Sequence, residues 1–324
     1  MPPRIRKLSI DDIDSRAMRI VHALSLTGSI TGAAAHLHLS QPAVSQHLRK
    51  MEQRLGLAIL EREGRGVRFT EVGEVLARHA RVLNSELEAV VSDLSELAGL
   101  TRGRLRLGSF PTASAAIVPE LFVGLREDFP GMVLSYRELE PREAIEEVRQ
   151  GELDAAITFS YPGEGVGLVG ESLPGLTVEH LWREEIYVAL PAAHPLACRE
   201  AVSLAELSSE TWIAGCPRCR GHLISAAAQN GFVPHIGHET DNIVAVMNLV
   251  SASLAVSLIP RLALEGIQVI PDQVLILPLV EDSHRVISFV SPQSVVDVPA
   301  VAAARKSLRE MDSIYWSLLD APHA

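Results

Sequence analysis

Cysteines and long apolar runs are both scarce in this 324-residue chain, and each shortage excludes a class of protein. Three cysteines, Cys198, Cys216 and Cys219, cannot form the framework of a disulfide-stabilised secreted domain. No uncharged stretch approaches the ~20 residues of a membrane span, and the opening MPPRIRKLSIDDID lacks the apolar segment of an export signal. The expectation is a soluble, cytoplasmic protein with no membrane partner. GxSxG, HExxH and Walker-type sequences are missing too, and the acidic residues sit on charged helix faces. The chain is therefore not expected to be an enzyme, and no catalytic residue or cofactor is assigned.

What is present is unevenly distributed. Residues 1–70 hold 11 Lys and Arg against 6 Asp and Glu, whereas the remainder holds 18 against 34, so the overall charge of −11 conceals a basic head on an acidic body. Such a division suits a molecule that meets nucleic acid at one end only. Its length suits two or three domains.

Residues 29–48, SITGAAAHLHLSQPAVSQHL, read as two short helices joined by a tight polar turn. Ala33, Ala34 and Ala35 permit close helix crossing, Leu37 and Leu39 anchor the turn, and Val44 and Leu48 seat the second helix at i, i+4 spacing. Ser40 can cap that helix and Pro42 fits its first turn. The opposite face carries Gln41, Ser45, Gln46 and Arg49. After Gly56, AILEREGRGVRFT alternates and turns at Gly64 and Gly66, a two-stranded wing bearing Arg62, Arg65 and Arg68. A basic wing beside a polar helix fits a phosphate backbone.

No proline interrupts the chain between Pro42 and Pro111. From Glu71 to Leu100 the pattern stays helical, with Leu76, Ala80, Leu83, Leu87, Val90, Leu94 and Leu97 alternating by four and three. That is the seam of a coiled coil, so dimerisation is expected. About 29 helical residues would span roughly 43 Å, enough to hold two heads apart on one duplex.

Beyond the hinge Thr101-Arg102-Gly103, strand and helix patterns alternate, which predicts an α/β body with mostly parallel strands. RLRLGSF, MVLSYREL and LDAAITF are strands, with helices from about Ser114 and at PREAIEEVRQG. A second half begins with a strand near Glu185 and contains TWIAG, the helices HLISAAAQNG and NIVAVMNLVSAS, and a strand before Asp241. RVISFVS returns the chain to the first half, before a last helix near 299–319.

The head resembles the winged helix-turn-helix of LysR-type transcriptional regulators. Its small-residue helix, SQPAVS turn, MEQRLG helix end, EREGR wing and TEVG linker start occur in the family's order. Ile59-Leu60 replaces a usual Leu-Phe pair, and Gln46 stands where arginine is common. The body is similar to the same family's effector-binding domain through LGSFPTASAAIVPEL, GELDAAI, ALPAAHPLA and SLAVSLIP, with Ala252 or Ser253 and Ala255 where glycines are common.

The resemblance implies an α/β chain with an N-terminal all-α winged helix-turn-helix at 13–70 and a long linker and dimerisation helix at 71–100. A two-lobed, Rossmann-like effector-binding domain at 101–324, similar to periplasmic binding proteins, follows. Lobe I would take about 104–182 plus 285–320, and lobe II about 183–284. It further implies a sequence-specific transcription factor that binds a double-stranded operator as a homodimer, or as a tetramer that is a dimer of dimers, with a small-molecule co-inducer and RNA polymerase as further partners. Gln41, Pro42, Ser45 and Gln46 would face base edges, Ser29, Thr31 and Arg49 phosphates, and Arg65 the minor groove. The implied crevice lies where strands end and helices start, which brings forward Ser109, Thr112, Ser114, Pro141, Ser160, Tyr161, Cys216 and Thr240.

Two patterns point elsewhere. Gly165 to Gly170 fits GxGxxG, but Pro174 and Gly175 prevent a following helix, and a loop is expected there. Cys216-Pro217-Arg218-Cys219, near His222, His235 and His238, supplies half a zinc site without matching histidine spacing. Redox or metal sensing through Cys216 and Cys219 stays open as an alternative, as does a solute-binding protein with no DNA role.

Overall fold

The computed structural model describes residues 8–63, 66–97, 103–163, 173–267, 269–312 and 318–320. The chain divides into two compact units, residues 1–98 with 149–152 and residues 99–148 with 153–324. The glycine-rich stretch 165–170, the turn residue Arg65 and the hinge 101–102 lie outside the described residues.

The N-terminal unit is built from α1 (Ser15–Thr27), α2 (Ile30–His36), α3 (Gln41–Leu55), β1 (Leu60–Glu63), β2 (Gly66–Phe69) and α4 (Glu71–Leu97). Its helix ends are set locally. Asp14, Ser29 and Ser40 accept backbone N–H bonds as N-caps, and Gly28 and Gly56 close α1 and α3 in the left-handed conformation. The turn between α2 and α3 needs the same conformation, and His38 adopts it at φ 52° while Leu39 N–H reaches back to Ala34 O.

Ile20, Val21, Val44, Leu48, Met51 and Ile59 form one core with Leu76, Ala77 and Ala80 of α4. Glu52 ties helix to wing, its Oε1 accepting from Ile59 N–H at 2.8 Å. Gly73 permits the close start of α4, because a Cβ there would stand 2.2 Å from Ile59 O. The apolar stripe of α4 is therefore divided, which corrects the expected continuous seam. Leu76 and Ala80 are buried in their own unit and Leu83 packs against that core, whereas Leu87, Val90 and Leu94 are exposed. The core ends where α4 runs past α1, so only the later part of the stripe is open to a partner. The Leu97 side chain lies outside the described residues.

The C-terminal unit opens with β3 (Arg104–Ser109), α5 (Pro111–Asp128), β4 (Val133–Glu138), α6 (Pro141–Arg149) and β5 (Ala155–Ser160). There follow β6 (Leu176–Pro191), β7 (Thr211–Ala214), α7 (Pro217–Gln229), β8 (His235–Glu239), α8 (Ile243–Ser251) and β9 (Val256–Pro260). The last elements are α9 (Arg261–Glu265), β10 (Val274–Pro278), β11 (His284–Pro292), α10 (Pro299–Glu310) and β12 (Leu319–Asp320).

Strand order is β4-β3-β5-β11-β6-β9-β7-β8, with β10 and β12 also paired to β6. β3, β4 and β5 are parallel, as are β7, β8 and β9, but β6 and β11 run antiparallel to their neighbours. The expectation of mostly parallel strands is thus corrected. A two-lobed unit needs one strand leading out and one returning, and that pair must be antiparallel.

Three boundaries also differ from expectation. β6 begins at Leu176 rather than near Glu185, because its charged residues hide a 16-residue strand shared by both lobes. α5 begins at Pro111, not Ser114, and α10 stops at Glu310 where Met311 turns extended. Downstream, Leu319 and Asp320 pair with Arg183 and Trp182 of β6. Ser253, at φ 58°, occupies a left-handed position that explains why glycine suits it.

Candidate DNA-reading face and effector cleft

On α3, the buried positions Val44, Leu48, Met51 and Leu55 share one side, which leaves Gln41, Pro42, Gln46 and Arg49 exposed and Ser45 half-buried on the other. Ser29 and Thr31 are exposed at the start of α2, where Ser29 Oγ accepts from Gly32 N–H at 3.0 Å. The Ser29 hydroxyl proton remains able to donate to a phosphate. A wing beside this face is held by β1 and β2 in antiparallel register, with Arg68 paired to Glu61 at 2.8 Å.

In the C-terminal unit the ends of β3, β4, β5 and β7 and the starts of α5, α7 and α8 surround a cavity of about 90 Å³. Of the expected residues, Thr112, Cys216 and Thr240 line it. Tyr161 lines a smaller neighbouring cavity of about 30 Å³ with Cys219 and His222. Ser109, Ser114, Pro141 and Ser160 are buried and do not line either cavity, which corrects their placement. The strand-to-helix turn presents Phe110, Pro111 and Thr112, while the Ser109 and Ser114 hydroxyls are spent on each other at 2.7 Å beneath it.

The main residue missing from the sequence reading is Arg285, fully buried on β11 at the base of the cavity. Its Nε donates to Glu184 Oε2 at 2.5 Å and its Nη2 to Thr112 Oγ1 at 2.7 Å. Its guanidinium also lies over the rings of Phe110 and Phe159, at 4.8 and 4.4 Å. Glu184 Oε1 accepts from Leu262 N–H at 2.7 Å, so one carboxylate holds both the arginine and the start of α9. Burial opposes the Arg285 charge, but Glu184 more than restores it and the guanidinium stays protonated. Charged residues inside otherwise apolar strands were the available signal; their pairing across 101 positions was not.

Burial raises the Glu140 carboxyl above the ordinary carboxylate range, partly offset by a hydrogen bond with Cys216. The two thiols are unequal. Cys219 is lowered, first by the hydrogen bond from Cys216 and then by Arg285, while the same bond and burial push Cys216 up. No disulfide joins them, and no cluster of three or more His, Cys, Asp or Glu side chains that could hold a metal occurs among the described residues.

His222 stacks on Tyr161 at 4.0 Å, and burial lowers its pKa from 6.5 to about 4. Above pH 6.5 it is neutral folded or unfolded; between about 6.5 and 4 only the unfolded chain takes up the proton, so stability falls across that window. Urea unfolding of the full chain should show this loss, and His222→Phe, which keeps a ring for stacking, should make the slope shallower. Equal slopes would remove His222 as its source.

A wing-and-helix head and a two-lobed body with a cavity between strand ends and helix starts define a ligand-responsive DNA-binding regulator. Residues 15–74 match the bacterial regulatory helix-turn-helix of the lysR family, and residues 98–313 match the LysR substrate binding domain. The chain belongs to the LysR-type transcriptional regulators, DNA-binding transcription factors that respond to small-molecule effectors. It is 30% identical over 253 residues to the HTH-type transcriptional regulator TfdS of Cupriavidus pinatubonensis, covering 76% of this chain and 82% of the relative. A full-length OxyR variant from Pseudomonas aeruginosa has the same fold, with a TM-score of 0.73 at 23% identity over 92% of this chain and 95% of that one. Full-length CbnR complexed with its target DNA superposes with a TM-score of 0.61 at 19% identity, over 92% and 99% of the two chains. No helix of the described residues is long and apolar enough to cross a membrane.

Proposed function

We propose that this regulator binds a partly palindromic operator as a dimer, or a dimer of dimers, and alters promoter activity when a compact effector enters the cavity lined by Thr112, Cys216, Thr240 and Arg285. The observation that carries the DNA half is the exposed polar face of α3, opposite its buried side. Gln41, Pro42, Ser45 and Gln46 read base edges in the major groove. Ser29, Thr31 and Arg49 hold phosphates, and Arg65 reaches the adjacent minor groove. Leu87, Val90 and Leu94 bring two heads together.

The test is a gel shift with the chain's own upstream DNA across a salt series. Salt-dependent retention supports the reading; no retention at any salt removes it. Gln46→Ala should cost roughly 1–3 kcal/mol at one base position and leave binding to random DNA unchanged, because a glutamine amide can pair bidentately with adenine. Equal loss on operator and random DNA would refute base reading. For the effector half, a thermal-shift screen of metabolites against the full chain, followed by footprinting with each hit, finds the ligand and asks whether operator contacts change.

A further inference from the structure

We infer that Cys216 and Cys219 form a redox-controlled latch across the cleft: as thiols each ties lobe II to lobe I, and their oxidation to a disulfide releases both ties. This rests on the cleft being the effector site and adds a second input to it.

The two sulfurs are 3.2 Å apart, at the N-cap and first turn of α7. Their other partners lie in the opposite lobe. Tyr161, at the end of β5, donates its hydroxyl to Cys219 Sγ at 3.5 Å. Glu140, between β4 and α6, lines the same cavity as both cysteines and is the hydrogen-bond partner of the Cys216 thiol across it. The single Cys216 proton thus lies between two acceptors, the Cys219 sulfur and the Glu140 carboxylate, while Cys219 Sγ receives two donors and faces the Arg285 charge. This environment favours Cys219 as the thiolate and Cys216 as the protonated partner. Both line the cavity, so a compact oxidant that enters it meets both sulfurs.

A hydroperoxide completes the chemistry. The Cys219 thiolate attacks one peroxide oxygen; the S–O bond forms, the O–O bond breaks, and the leaving hydroxide or alkoxide takes a proton to become water or alcohol. Cys216 passes its proton to the adjacent Glu140 and attacks the sulfenic sulfur; the S–S bond forms, the S–O bond breaks, and the leaving hydroxide takes that proton back from Glu140 to depart as water. Two electrons pass from the dithiol to the peroxide, and one hydroperoxide is consumed per disulfide. The product has no S–H to give Glu140 and no thiolate to receive the Tyr161 hydroxyl, so both cross-lobe bonds weaken together. Cys198 is exposed and serves as an internal control.

The experiment adds hydrogen peroxide stepwise to the reduced full-length protein, counts thiols by alkylation and mass spectrometry, and follows amide exchange. Of the three thiols, Cys216 and Cys219 should be lost together at one equivalent while Cys198 remains alkylatable. Exchange in segments 139–141 and 159–161 should rise ~10-fold in the oxidised protein. Glu140→Ala combined with Tyr161→Phe should produce the same rise with no oxidant and with all thiols free. Cys216→Ser should stop at a Cys219 sulfenic acid trapped by dimedone. Independent oxidation of the two cysteines, or a disulfide that leaves exchange unchanged, overturns the latch while operator retention by the reduced protein leaves the regulator reading standing. A disulfide with the expected exchange but no operator retention supports the latch and removes that reading.

Discussion

Glu184→Gln is expected to destabilise the C-terminal unit by about 3–5 kcal/mol, because it leaves the buried Arg285 guanidinium without its counter-charge. The substitution is nearly isosteric, so packing changes little and the loss is electrostatic. Both carboxylate oxygens are in use, Oε2 on Arg285 Nε at 2.5 Å and Oε1 on Leu262 N–H at 2.7 Å. Neither side chain reaches water, Glu184 being 0% and Arg285 2% exposed. In a unit of this size the melting temperature should fall by about 10 °C, measured by calorimetry on the full chain. The double variant Glu184→Leu, Arg285→Met should recover much of the loss, since an apolar pair removes both desolvation costs at once. A single-variant loss below about 1 kcal/mol would show that the charge of Arg285 is relieved by another route.

If Leu87 and Leu94 form the proposed dimer seam, Leu87→Asp combined with Leu94→Asp is expected to leave a monomer and to weaken operator binding by at least ~100-fold. Two heads on one stalk bind the second half-site as an intramolecular event, and separating them forfeits that advantage. Both leucines are exposed on α4, at 43% and 60%, so the substitutions should leave the fold of the head intact. Sedimentation and operator titration on the same samples test this directly. A variant that stays dimeric and binds unchanged would place the interface elsewhere. Leu76→Ala makes the contrast: Leu76 belongs to the head's own core, and its truncation should destabilise the head by roughly 2–5 kcal/mol before it affects assembly.

Much of the head was legible because its determinants are local. Ser29 and Ser40 cap the helices they precede, Gly28 and Gly56 end α1 and α3, and Val44 and Leu48 fall on the buried side. The TEVG motif has a spatial reason, the approach of Gly73 to the Ile59 carbonyl, that its spelling does not disclose. Heptad spacing similarly identified the stripe on α4 but not its division, since Leu76 and Leu94 look alike until α1 is placed against the first.

The cleft was legible only at its rim. Within the crevice that the family resemblance implies, strand ends followed by helix starts brought forward Thr112, Cys216 and Thr240, which line the cavity. Position alone could not say which hydroxyls turn inward, and Ser109 and Ser114 satisfy each other instead. The dithiol was visible as CPRC, but its partners Glu140 and Tyr161 come from distant segments.

Local chemistry along the chain determined the caps, the reading helix, the wing, the apolar stripe and the alternation of strands and helices, each depending on residues within a few positions of one another. Tertiary packing alone decided that β6 and β11 cross between the lobes, that Glu184 and Arg285 meet beneath the cavity, and that two thiols of lobe II touch lobe I. Those contacts join segments about a hundred residues apart in the case of the ion pair, and they exist only once sheet register has brought the segments together.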